Sequence, residues 1–281
     1  MRRLALAGVA LASALVPGVA EAARVPVPRM TAPITVVPSA GLPPQVSVDK
    51  SNANLAVARF HGRVFLVFRT AKWQIADNNA RLYVVSSTDQ VHWRYEGVFR
   101  YDRDLREPRF LVWKGHLFLY FALLGSNAAA FEPGGTLATR YETPRKWTKP
   151  ARIIPLDDFI AWSFKLYKGR PYMLGYTGGG GTFQPNPPPK FVYWLTSRDG
   201  FTWKPVDPAR KIVYTGQCGE TDFAFMPNGS LVTACQTEQV DKLGWGAKVC
   251  TAPASATWRW TCRGDTRRLD SPYVFVDNGH P

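Results

Sequence analysis

Four acidic side chains stand in similar company along this chain. Glu107 sits in Arg106-Glu107-Pro108, Glu220 and Asp222 in Glu220-Thr221-Asp222, and Asp270 in Asp270-Ser271-Pro272, each at the head of an apolar stretch. Carboxylates ahead of buried segments are costly unless they are paired or used, and their recurrence points to a shared site. Two carboxyl groups in unlike surroundings, one protonated near neutral pH and one ionised, are what cleavage of a glycosidic bond requires: an acid for the leaving oxygen, and a carboxylate that attacks or activates water. The reading taken here places Glu220 as acid, Asp270 or Glu107 as base, and Asp222 as a modulating neighbour. The competing reading is structural, with the same carboxylates bridging neighbouring elements or binding backbone amides.

Further residues are candidates for holding a substrate. Asn54 occupies the position equivalent to the acids in the first repeat, Arg106 flanks Glu107, and Arg69 ends an apolar strand in Val67-Phe68-Arg69. Arginine suits bidentate recognition of a carboxylate or phosphate. Trp162 offers a face for a sugar ring to stack on, as do Tyr176 and Trp73, and Lys165 lies close by in sequence. No metal site and no cofactor are expected, because the cysteines form no C-x-x-C pair with nearby histidines and no calcium loop is visible. Gly178 to Gly181, followed by Pro185 to Pro189, reads as a surface loop or a flap over the site. It lacks the helix and Lys-Ser/Thr pair of a phosphate cradle.

These residues are brought to one place by a repeat. Apolar strand, tight turn ending in glycine, apolar strand: this unit recurs around Gly62, Gly115, Gly169 and Gly229, and begins again before Gly279, at spacings of 53, 54, 60 and 50 residues. A third strand and a Trp-bearing fourth strand follow, with Trp93, Trp147, Trp203 and Trp258 in corresponding places. The pattern predicts an all-β chain, a five-bladed β-propeller of four-stranded antiparallel blades. First strands line the axis of such a fold, so the acids meet at one mouth of the channel. The turns Ser87-x-Asp89-x-x-x-Trp93 and Ser197-x-Asp199-x-x-x-Trp203 are read as structural, with each Asp bonding backbone amides. The fifth unit stops at its turn, and the last blade is expected to be incomplete. Short apolar segments at 34–37 and 45–48 are the alternative source of its missing strands.

Residues 1–23 have the layout of a secretory signal peptide, with Arg2 and Arg3, an apolar run to Val19 and small residues near an expected cleavage at Ala22 or Ala23. An extended segment, 24–50, leads to the propeller, 51–281. Secretion or export to a periplasm follows, without stable membrane insertion. In that oxidising setting the four cysteines can form two disulfides. Cys250 and Cys262 fall in strands of one hairpin, leaving Cys218 with Cys235. The formal charge of +14 suits a carbohydrate or another polar or anionic ligand. The positive residues are scattered and accompany no docking motif, so nucleic acid is not expected as a partner, and the chain is read as a monomer.

The Ser-x-Asp-x-x-x-Trp turns and the repeat resemble those of five-bladed glycoside hydrolases of families 43 and 32, with a secondary likeness to sialidase-like proteins. Arg106-Glu107-Pro108 is similar to the Arg-Asp-Pro that opens blade two of family 43. Asn54 stands where that family has its blade-one base, and Trp162 near its blade-three acid. Val67-Phe68-Arg69 is similar to the sialidase strand bearing a substrate arginine, but Cys235-Gln236 offers no arginine to match. The resemblance implies a secreted glycoside hydrolase. The departures leave a non-catalytic glycan- or protein-binding propeller as the alternative.

Overall fold

The computed structural model describes residues 31–125, 132–182, 184–237 and 239–279. The signal-peptide reading therefore lies outside the described residues. From Thr35 onward the described residues form one compact unit, and the described residues contain strands but no helix.

The strands form four antiparallel blades, each laid down in sequence order from the inside out. Blade one holds β1 (Ser51–Phe60), β2 (Arg63–Ala71), β3 (Arg81–Ser87) and β4 (Arg94–Arg100). Blade two holds β5 (Leu105–Trp113), β6 (His116–Leu123), β7 (Thr136–Thr143) and β8 (Lys146–Trp147), with β9 (Ala151–Arg152) also on β7. Blade three holds β10 (Ile160–Tyr167), β11 (Arg170–Thr177), β12 (Lys190–Ser197) and β13 (Trp203–Pro205), with β14 (Ile212–Gly216) also on β12. Blade four holds β15 (Cys218–Phe225), β16 (Leu231–Thr237), β17 (Lys248–Ala252) and β18 (Thr261–Gly264). The inner strands β1, β5, β10 and β15 are neighbours in that order.

The propeller thus has four complete blades among the described residues where five were expected. Residues 271–279 nevertheless repeat the backbone landmarks of an inner strand. Ser271 has φ of 46°, eight residues before Gly279, just as Asn54 (44°) precedes Gly62 and Glu107 (51°) precedes Gly115. Asn278 and Gly279 are both left-handed, as are His61-Gly62, Lys114-Gly115 and Lys168-Gly169, which is the signature of a two-residue type I′ turn. This segment docks beside blade four through side chains instead of a strand ladder: Ser271 and Val274 donate backbone N–H groups to Gln236 and Asp222. The turn at Asn228-Gly229 departs from the expected two-residue form, since only Gly229 is left-handed. Pro227 fixes a negative φ, and Gly229 closes back on the Met226 carbonyl.

The core lies between blades. One layer joins blades one and two through Phe65, Val67, Leu119 and Phe121; a second joins two and three through Tyr120, Phe159 and Trp203; a third joins three and four around Trp194 and Phe223. Each large side chain so buried contributes roughly 1.5–3 kcal/mol. Segment 36–48 does not supply strands to a last blade. Val36, Val37, Leu42, Val46 and Val48 instead cover Leu66, Phe68, Tyr83 and Val85, the face of blade one turned away from blade two. Disulfides join Cys218 to Cys235 and Cys250 to Cys262, as expected.

The Asp turns have the expected structural role. Asp199 Oδ1 accepts N–H bonds from Phe201 and Thr202 at 2.8 and 2.7 Å, and the Ser197 hydroxyl also donates to it. Burial works against its ionisation, but the Thr202 and Phe201 amides outweigh that and hold the carboxyl below the ordinary aspartate value. A carboxyl lowered by folding stabilises the protein above its unfolded value and loses that contribution as pH falls through the folded one. Asp199→Asn is therefore expected to lower Tm at pH 7 by about 2–4 °C, with the gap to wild type narrowing as pH drops below about 4. Thermal melts across pH 3–7 check this, and a gap independent of pH contradicts it.

Candidate functional site

Each inner strand breaks its register near the same end. The shift falls between Ala53 and Leu55 in β1, Arg106 and Arg109 in β5, Ala161 and Ser163 in β10, and Cys218 and Thr221 in β15. The residues thrown out of the ladder include Asn54, Glu107, Trp162 and Glu220. A bulge leaves a residue unpaired and re-aims its side chain. Here it does so four times around one mouth.

Glu107, Glu220, Trp162 and Arg106 line one cavity of about 190 Å³, with Tyr176 and Asp104 in its wall. Glu107 accepts a 2.9 Å hydrogen bond from the Asn54 amide, and the guanidinium groups of Arg109 and Arg106 lie 3.7 and 3.9 Å from its oxygens. Burial pushes the Glu107 carboxyl up; Arg109, Arg106 and Asn54 pull against it, and the result stays above the ordinary glutamate value. Glu220, from the opposite side of the cavity, accepts a 2.6 Å hydrogen bond from the Ser271 hydroxyl.

The other expected site residues divide. Lys165 and Asp222 form an ion pair at 2.6 Å and line a second cavity of about 280 Å³ that shares Trp162 with the first. Asp270 does not reach either cavity. It is exposed and paired at 2.8 Å with Arg268, because the position eight residues before the turn glycine is Ser271, so the serine takes the inward place. Arg69 does not face a ligand either. Its guanidinium is wholly buried: Nε and Nη2 bind Asp104 at 2.7 and 3.0 Å, Nη2 also donates to the Trp73 carbonyl, and Nη1 is closed off from solvent without a partner. That pair anchors Asp104, a wall residue, and so acts on the site from behind. Trp73 is exposed and outside the cavity lining.

Asp104, Glu132, Thr182 and Ser271 are site neighbours that the repeat alone did not single out. Asp104 lies three residues before Glu107 and carried a signal in that proximity. Thr182 comes from the Gly-rich loop, which thus reaches the mouth. Glu132 belongs to no repeated strand and left no trace. Among the described residues, no group of three or more His, Cys, Asp or Glu side chains is arranged to hold a metal ion.

No protein-family model and no curated protein matches the chain in sequence. Solved structures do match in shape. The GH93 α-L-arabinofuranosidase of Fusarium graminearum superposes with a TM-score of 0.56 at 15% identity, covering 81% of this chain and 69% of that one. An α-L-arabinanase of Penicillium chrysogenum gives 0.56 at 12% identity over 81% and 69%, and a Dyadobacter fermentans protein of unknown function gives 0.56 at 18% over 75% and 67%. What the chain shares with these proteins is the β-propeller fold. At these identities the likeness is one of fold, which hosts many functions, and the chemistry has to be argued from the site.

Asn54 is an uncharged hydrogen-bond donor to Glu107, and a donor to a carboxylate favours its ionised form. Asn54→Ala is expected to raise the Glu107 pKa further, and Arg109→Gln to raise it as well. Side-chain carboxyl ¹³C titration by NMR reads both shifts. A Glu107 that titrates at or below the ordinary glutamate value in the wild type contradicts the account.

Proposed function

We propose that this chain is an exported carbohydrate-active protein that hydrolyses glycosidic bonds with Glu107 and Glu220. The observation that carries the reading is the meeting of these two carboxyl groups, from blades two and four, across one cavity at the axis mouth. Their surroundings are unlike. Glu107 is largely enclosed, its side chain 14% exposed, and its pKa is raised, which suits the acid that protonates the leaving oxygen, while Glu220, held by Ser271, suits the carboxylate that attacks carbon or takes a proton from water. This reverses the assignment read from sequence, on the strength of the Glu107 environment. Trp162 and Tyr176 supply aromatic wall for a sugar ring, and Arg106 supplies hydrogen-bond donors. The solved structures of arabinose-releasing and arabinan-cleaving enzymes on this fold support the substrate class, and the two disulfides support an oxidising compartment.

A second reading, a propeller that binds glycan or protein without cleaving, is favoured by Asn54. The blade-one bulge carries an amide there and no carboxylate. A panel of aryl glycosides and polysaccharides separates the two. Under the hydrolytic reading, Glu107→Gln and Glu220→Gln each lower turnover by at least about 10²-fold while leaving Tm within a few degrees of wild type. Glycan binding by the wild type with no turnover on any substrate, or turnover that survives both changes, removes the hydrolytic reading.

A further inference from the structure

The second cavity is not needed by the pair of glutamates, yet it is built as a binding site. Its walls are Trp162, Leu55 and Tyr273, and its polar edge is Arg109, Lys165 and Asp222. Trp162 separates it from the first cavity and belongs to both. Tyr273 is 76% exposed with the Lys165 ammonium 4.4 Å from its ring centre, which leaves the other face of the ring to a ligand, and Leu55 of β1 is exposed as well.

The electrostatics of this cavity are set by a division of labour between its two cations. Lys165 has no donor to spare: its ammonium serves Asp222 Oδ2 at 2.6 Å and the carbonyls of Phe223 and Val274 at 2.5 Å. It cancels the Asp222 charge and goes no further. Arg109 is different. Its Nε donates to the Trp162 carbonyl at 2.7 Å and its Nη1 to the Pro108 carbonyl at 3.0 Å, and its guanidinium carbon lies 4.9 Å from the Trp162 ring centre. Those contacts fix the plane of the guanidinium. Its Nη2 stands 3.7 Å from Glu107, too far for a hydrogen bond. The lining of this cavity therefore carries one net positive charge, on a preorganised planar donor that lies in ion-pair range of Glu107 without a hydrogen bond to it, beside two aromatic side chains. Asp222 itself is buried, its Oδ2 taken by Lys165 and by the Val274 N–H, so the polar group this cavity offers to a ligand is Arg109.

We propose that this cavity is a subsite for an acidic sugar, a uronate unit of the glycan, whose carboxylate is received by Arg109 and whose ring lies against Trp162 and Tyr273. A carboxylate matches the free edge of a guanidinium, a sugar ring matches the aromatic walls, and the formal charge of +14 draws a polyanion to the surface. A neutral sugar leaves the Arg109 Nη2 edge without an anionic hydrogen-bond partner. A simple anion leaves the aromatic walls unused. The inference rests on the reading of the protein as carbohydrate-active, and it assigns which sugar chemistry that site prefers.

Calorimetric titration of the full chain with trigalacturonate and with neutral galactotriose tests it. The acidic trisaccharide is expected to bind at least about tenfold more tightly, and its advantage is expected to shrink as salt rises from about 0.05 to 0.5 M. Arg109→Gln abolishes the preference, Arg109→Lys keeps part of it because charge remains without the planar fork, and Tyr273→Ala weakens both ligands; melting temperatures confirm that each variant is folded. Equal affinity for the two ligands, binding of neither, or a preference that survives Arg109→Gln overturns the proposal. The hydrolytic reading fails separately. Uronate binding that depends on Arg109 without any turnover removes the hydrolase and leaves the subsite, and turnover of neutral glycans with no acidic preference does the reverse.

Discussion

The register break in the inner strands is the constraint on which the site depends. A regular strand alternates its side chains between the two neighbouring blades and has none to spare for the axis mouth. Inserting one or two residues at the same place in every inner strand frees a side chain without giving up the hairpin that follows. Two of those freed residues, Asn54 and Glu107, hold left-handed backbone, a conformation that non-glycine residues adopt only when their surroundings enforce it. The enforcement is visible: Asn54 and Glu107 bind one another across the blade boundary, so each strained residue holds the other in place.

Much of this was legible because the landmarks are periodic. Turn glycines mark the hairpins, and counting back eight residues reaches the bulge in blades one and two. The same count explains the one misplaced acid: it ends on Ser271, and Asp270, one residue earlier, turns outward to Arg268. Arg69 was misread for another reason. A guanidinium at the end of an apolar strand looks the same in sequence whether it meets a ligand or a buried carboxylate, and its partner Asp104 lies 35 residues away in the next blade. Periodicity also says nothing about Glu132 or Thr182, which come from connections that vary from blade to blade.

Blade number is where pattern and architecture part. The fifth unit has the turn and the left-handed Ser271 of an inner strand, and its backbone donors go to side chains of blade four. Segment 36–48, apolar enough to pass for a strand, covers the outward face of blade one instead. A sequence pattern reports how residues alternate; it does not report which exposed face they will be recruited to cover. Burial decided that, since Phe68, Tyr83 and Val85 present too much apolar surface to be left in water.

Ser271 joins Glu220 across 51 positions of chain, and Lys165 reaches the Val274 carbonyl across 109. The surroundings of one candidate carboxylate are therefore finished by residues made well after it. Until those residues have emerged, Glu220 has no such neighbour, and the cavity stays unassembled until segment 271–274 has been laid against blade four. A protein arranged in this way carries its own timing: whatever its pocket does, it does only once that later segment has arrived and closed.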